Sequence, residues 1–166
     1  MKIAIIEDEK AHSQLLESYI QSFRREEQVQ MELQYFESAE NFLFVWEEEH
    51  DFDLLFLDIQ MAGRNGMETA RELRKKEKTV VLIFVTAVEE YVFQAFDVGA
   101  FNYIVKPIDA TKFEDVLRRA VDELCSKDTD VPESETNYVM INNGGVHTKV
   151  MIGDIVYAEV FNRKVV

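Results

Sequence analysis

The chain has 166 residues, 47% of them hydrophobic and 30% charged, with 6 Gly, 2 Pro and a formal charge of −14. That composition suits one globular domain plus part of another, and it excludes a wholly disordered or fibrous polypeptide. The charge argues against nucleic-acid binding by the bulk of the surface, and no apolar run nears the ~20 residues that a membrane-spanning helix needs.

The N-terminal run turns acidic at Glu7, too early for a secretory signal. The single cysteine, Cys125, cannot form an internal disulfide, which fits a reducing, cytoplasmic setting. Charge is unevenly spread. Residues 1–125 carry 26 acidic and 14 basic side chains, whereas residues 138–166 carry two acids and three bases. Between them, residues 126–137 hold four acids, one Lys and almost nothing apolar, as a solvated linker does. The organisation expected is therefore a domain over 1–125, an acidic linker over 126–137, and the start of a second unit over 138–166.

Five short apolar runs in the first unit predict strands: Lys2–Ile6, Val29–Phe36, Asp53–Leu57, Val80–Val85 and Asn102–Val105. Between them, His12, Leu15, Leu16, Tyr19, Ile20 and Phe23 recur at helical spacing, as do Phe113, Val116, Leu117, Ala120, Val121 and Leu124 near the end. Ser38 and Asp109 suit helix N-caps, because their side-chain oxygens accept from free N–H groups of the first turn. Strands alternating with helices imply βαβ units, so the fold class is α/β: a doubly wound, five-stranded parallel sheet with about five helices. Runs apolar throughout, such as Leu54–Leu57, fit strands buried on both faces.

In an open parallel sheet, ligands bind beyond the carboxyl ends of the strands. Glu7, Asp8 and Glu9 follow the first run, Asp58 the third, Thr86 the fourth, and Lys106-Pro107 the fifth. Carboxylates, a hydroxyl and an ammonium thus converge on one sheet edge. Clustered carboxylates call for a hard divalent cation with oxygen ligands, and a carboxylate can itself be the nucleophile in aspartyl-phosphate formation. Phosphoryl transfer then needs positive charge and a hydroxyl donor on the phosphoryl oxygens. No Ser–His–Asp, Cys–His or CxxC arrangement competes, and Gly63-Arg64-Asn65-Gly66 lacks the Lys and Ser/Thr of a P-loop.

Glu7-Asp8, Phe56-Leu57-Asp58-Ile59-Gln60-Met61 with Gly66 beyond it, Val85-Thr86-Ala87 and Tyr103-Ile104-Val105-Lys106-Pro107 together resemble the CheY-like receiver domain of two-component response regulators. The resemblance implies that Asp58 takes a phosphoryl group from a sensor histidine kinase. It implies Mg²⁺ (or Mn²⁺) held by Glu7, Asp8, Asp58 and the backbone carbonyl of Gln60, with Thr86 and Lys106 on the phosphoryl oxygens. It further implies that Tyr103 rotates inward as Thr86 moves, that the bond before Pro107 is cis, and that a homodimer forms through the helix 4–strand 5–helix 5 face. Two positions depart from the family pattern. Ala62 stands where Pro usually follows Met, and Glu7 stands where Asp is common, its longer side chain leaving room for a water between it and the metal.

The stretch from Ile152 to Glu159, Ile-Gly-Asp-Ile-Val-Tyr-Ala-Glu, resembles the opening of an all-β DNA-binding domain of the LytTR type, truncated here. DNA contacts would then fall on Asn162, Arg163 and Lys164 and require the complete C-terminal domain. The whole reads as a transcriptional response regulator, a signalling phosphoacceptor and not an enzyme, with no membrane partner. Two rivals are a receiver-fold interaction module that works without phosphorylation, and an aspartyl-phosphate hydrolase. The hydrolase ranks last because Gln60 stands where its acid–base Asp belongs. His12, His50 and His147 lack metal-ligand spacing and receive no role. Phe93, Phe96 and Phe101 read as packing residues, part of whose surface can pair subunits.

Overall fold

The five apolar runs are five strands in a computed structural model of the chain, which describes residues 1–76, 79–126, 138–151, 160–161 and 164–165. They are β1 (Lys2–Ile6), β2 (Glu32–Phe36), β3 (Leu54–Leu57), β4 (Val81–Thr86) and β5 (Asn102–Val105). Helices α1 (Lys10–Glu27), α2 (Ala39–Glu49), α3 (Gly66–Lys76), α4 (Val92–Asp97) and α5 (Ala110–Ser126) alternate with them. The second strand starts three residues later than its apolar run, because Gln28 closes α1 in the left-handed conformation (φ 56°) and residues 29–31 bring the chain back to the sheet. Both expected caps form: Ser38 Oγ accepts from Asn41 N at 3.2 Å, and Asp109 Oδ1 from Lys112 N at 3.0 Å.

The strands lie in the order β2-β1-β3-β4-β5, all parallel. Side chains alternate across the sheet with the two-residue period of a strand. Ala4, Ile6, Leu55, Leu57, Leu82, Phe84 and Tyr103 pack into one core with residues of α2, α3 and α4. Ile3, Ile5, Leu54, Phe56, Ile83, Val85 and Ile104 pack into the other with α1 and α5. On α4, Val92, Ala95 and Phe96 turn inward, which leaves Phe93 70% exposed instead of packed.

Residues 138–151 of the C-terminal segment join this sheet. Strands β6 (Tyr138–Asn143) and β7 (Val146–Met151) form a hairpin, turned at Gly144 and Gly145 with φ of 55° and 88°, that joins it as two further strands. The β7 strand pairs antiparallel with β5, giving seven strands in the order β2-β1-β3-β4-β5-β7-β6. The edge of β5 that the expected homodimer face would present is therefore taken by the chain's own backbone. Short strands β8 (Val160–Phe161) and β9 (Lys164–Val165) pair with each other. Asn162 and Arg163, like residues 127–137 and 152–159, lie outside the described residues, and Lys164 lies in β9. Among the described residues, no helix is long and apolar enough to cross a membrane.

Candidate functional site

Backbone pairing carries the polar residues to one edge. Asp58 N donates to Ile6 O at 3.0 Å and Lys106 N to Thr86 O at 2.8 Å, so the ends of β1, β3, β4 and β5 are in register. Glu7 and Asp58 are 4% and 5% exposed, and Thr86 is fully buried at the last position of β4. The Lys106–Pro107 bond is cis.

Lys106 is the hub. Its Nζ donates to Asp58 Oδ2 at 2.7 Å and to Glu7 Oε2 at 2.8 Å. Two buried carboxylates close to one ammonium leave a net charge of −1, and the pairing offsets a desolvation cost that either carboxylate alone would bear in full. Burial raises the Glu7 pKa above the ordinary carboxylate value, and the Lys106 hydrogen bond opposes that rise without cancelling it. Burial works against the Lys106 charge, but its hydrogen bonds to Asp58 and Glu7 prevail and carry its pKa above the ordinary lysine value.

The Asp58 turn is shaped by local bonds. Gln60 N donates to Asp58 Oδ1 at 3.0 Å and Gly66 N to Ile59 O at 3.1 Å. A Cβ at position 66 would come within 2.0 Å of the Asp58 carbonyl oxygen, so only glycine fits there. Asp8, exposed at the rim, accepts from Ala62 N at 2.9 Å. That bond gives Ala62 a physical meaning, since proline has no N–H to donate. A cavity of about 230 Å³ opens beside Glu7 and Asp8, bounded also by Ser13, Glu17, Tyr35 and Phe36.

Thr86 Oγ1 accepts from Val88 N at 3.4 Å, and the fully buried Tyr103 donates its hydroxyl to Val88 O in the same loop. The ring of Tyr103 is thus already inward. Sequence reasoning missed His12. Its Nδ1 lies 2.9 Å from Lys106 Nζ, 3.4 Å from Glu7 Oε1 and 3.2 Å from Glu9 Oε2. An ammonium only donates, so Nδ1 is the acceptor in the first of these contacts. The signal was positional: α1 starts directly after the acidic cluster, and its first turn overhangs the strand ends.

Among the described residues, no three His, Cys, Asp or Glu side chains gather in metal-holding geometry. Glu7 and Asp58 converge on Lys106 while Asp8 turns to Ala62. The donor chemistry still fits a hard cation, because two buried carboxylate oxygens share one small cationic partner and a third carboxylate adjoins them in the chain. One oxygen of that third group, Asp8 Oδ2, is engaged by the Ala62 amide.

Five parallel strands flanked by helices, with a buried aspartate after the third and a lysine after the fifth, define a CheY-like receiver fold. Residues 3–118 match the family described as response regulator receiver domain, and the chain belongs to that family. Among curated proteins it is 37% identical over 67 residues to the sensory transduction protein LytT of Bacillus subtilis (strain 168), covering 40% of this chain and 28% of LytT. It is 38% identical over 84 residues to the transcriptional regulatory protein BtsR of Escherichia coli (strain K12), covering 50% of this chain and 35% of BtsR. The matched stretch spans about a third of each relative's length. Among solved structures, the response regulatory domain of mrkE from Klebsiella pneumoniae is 27% identical with a TM-score of 0.68, over 75% of this chain and 98% of that one. The response regulator TrrA from Thermotoga maritima, in complex with Mg²⁺-BeF, is 28% identical with a TM-score of 0.62, over 72% and 97%.

Proposed function

We propose that the chain is the phosphorylation-controlled switch of a two-component transcriptional regulator, with Asp58 as the phosphoacceptor. The observation that carries this is the Lys106 ammonium poised 2.7 Å from a buried Asp58 oxygen at the sheet's carboxyl edge. In the reaction, an Asp58 oxygen attacks the phosphorus of a phosphohistidine on the sensor kinase in line, and the P–N bond breaks as the P–O bond forms. Lys106 is positioned to stay on the acquired negative charge, and the Thr86 hydroxyl to leave the loop amide and donate to a phosphoryl oxygen. Tyr103 then holds the space that Thr86 vacates. Glu7, Asp8, Asp58 and the Gln60 carbonyl would hold Mg²⁺ or Mn²⁺, which when bound supplies positive charge to the phosphoryl oxygens.

Residues 127–137 serve as the linker, one residue shorter than the expected 126–137 because Ser126 ends α5, and residues 138–166 serve as the opening of a LytTR-type DNA-binding domain that acts, when complete, in the cytoplasm. The receiver promotes only its own phosphorylation and dephosphorylation. Incubation with Mg²⁺ and acetyl phosphate tests the assignment by intact mass. One phosphoryl group is expected on the native chain and none on Asp58→Asn; a gain that persists in that variant would refute it.

A further inference from the structure

The hairpin's position on β5 has a partner inside the domain. Register sets Asn102 opposite Thr148, Tyr103 opposite His147 and Ile104 opposite Val146. Directly opposed residues in an antiparallel pair share a face with their Cβ atoms about 5 Å apart. His147 accordingly meets Tyr103 ring to ring, centroids 6.1 Å apart at 84°. The docking is specific on both faces of the sheet. Thr148 Oγ1 bonds Asn102 Oδ1 at 2.9 Å, Val105 N donates to Gly145 O at 2.8 Å, and Lys112 Nζ to Gly144 O at 2.9 Å. Val146, only 7% exposed, packs in the α5 core, and Met140 packs against the α4 core.

A Tyr103 ring swung away from Val88 toward the margin of β5 would enter the space that His147 holds. We infer that the β6–β7 hairpin docked on the β5 edge latches Tyr103 inward, by barring the ring's outward path, in a manner coupled to phosphorylation of Asp58. The coupling rests on the function proposed above, in which phosphorylation favours the same inward ring. Because binding couplings are reciprocal, loading Asp58 tightens the hairpin on β5, and the docked hairpin favours loading by the same factor. While docked, it also denies the β5 backbone to a second copy of the chain.

Hydrogen exchange on the full 166-residue chain tests this, with Mg²⁺ and beryllofluoride as the phosphoryl mimic and ¹⁹F NMR reporting its occupancy of Asp58. Amides of residues 139–150 should exchange about fivefold more slowly once the site is loaded, within the usual range of such couplings. In His147→Ala the hairpin should exchange faster, its rate should no longer respond to loading, and beryllofluoride should bind about fivefold more weakly. His147→Phe, which keeps a ring against Tyr103, should restore both effects and guards against a hairpin that simply fails to form. Occupied Asp58 with unchanged or faster hairpin exchange overturns the latch and leaves the phosphoacceptor intact. Absence of any loading in the native chain overturns the phosphoacceptor and the latch together.

Discussion

Lys106 Nζ stands 2.7 Å from Asp58 Oδ2 across 48 residues of sequence, and it reaches Glu7 at nearly the same distance. This contact is electrostatically asymmetric. Lys106 can be retained with either carboxylate, but neither carboxylate is easily retained without Lys106. Lys106→Met should therefore lower stability by about 3 kcal/mol in urea unfolding, the order seen when one partner of a buried pair is removed. Added Mg²⁺ should recover part of that loss. A variant as stable as the native chain would show that the carboxylates do not depend on the ammonium.

The same pair sets an alkaline limit. The pKa of Lys106 is raised in the folded state, so its stabilising contribution is complete below the ordinary value of 10.5 and is lost as pH rises through the higher folded value. Melting temperatures taken from about pH 9 to 12 should fall more steeply for the native chain than for Lys106→Met. Parallel curves would contradict the assignment.

Glu7 behaves in the opposite sense to a salt-bridged surface acid. Its folded pKa is raised by burial, so its favourable contribution belongs to pH below the ordinary 4.5 and is lost as pH rises through the raised value. Glu7→Gln should raise the melting temperature at pH 7 by about 3 °C, the shift that roughly 1 kcal/mol produces in a domain of this size. Near pH 4 that advantage should vanish. The same variant should bind Mg²⁺ less tightly, so stability and site chemistry pull apart.

At the rim, the Ala62 amide donates to Asp8 Oδ2 and so competes with a cation for that oxygen. Ala62→Pro removes that donor and should tighten Mg²⁺ binding about threefold, a small part of the usual worth of a hydrogen bond to a charged group because Asp8 is exposed. Isothermal titration measures it. Unchanged or weaker binding would mean that the amide is not what restrains Asp8.

Gly66 is the backbone's closest approach to the acceptor. In Gly66→Ala a methyl group would collide with the Asp58 carbonyl, so the Asp58 turn must move. Phosphorylation by acetyl phosphate should slow at least tenfold while the far-UV circular dichroism stays native. A native rate would show that the turn tolerates displacement.

Much of this was legible in the sequence, for identifiable reasons. Strands buried on both faces must be apolar throughout, so Leu54–Leu57 and the β4 run announced themselves. The polar residue after each run was then a sheet-edge residue by geometry, which located Asp58, Thr86 and Lys106. Three features escaped. His12 sits in a helical pattern whose apolar neighbours hid its overhang of the strand ends. Phe93 was expected in the core because its chemistry suits one, but a six-residue helix has only one inward face. The antiparallel addition of β7 to β5 left no local trace, since pairing across residues 127–137 depends on an open backbone edge and not on side-chain pattern. Ala62 was visible as a departure, yet its meaning required the Asp8 contact.

The claim on which all else depends is that Asp58 is the acceptor oxygen. After brief treatment with Mg²⁺ and acetyl phosphate, borohydride reduces an aspartyl phosphate to homoserine, and tandem mass spectrometry then reads the residue. Homoserine is expected at position 58 and at no other carboxylate. Homoserine at Glu7, Asp8 or elsewhere, or an unmodified position 58, would contradict it.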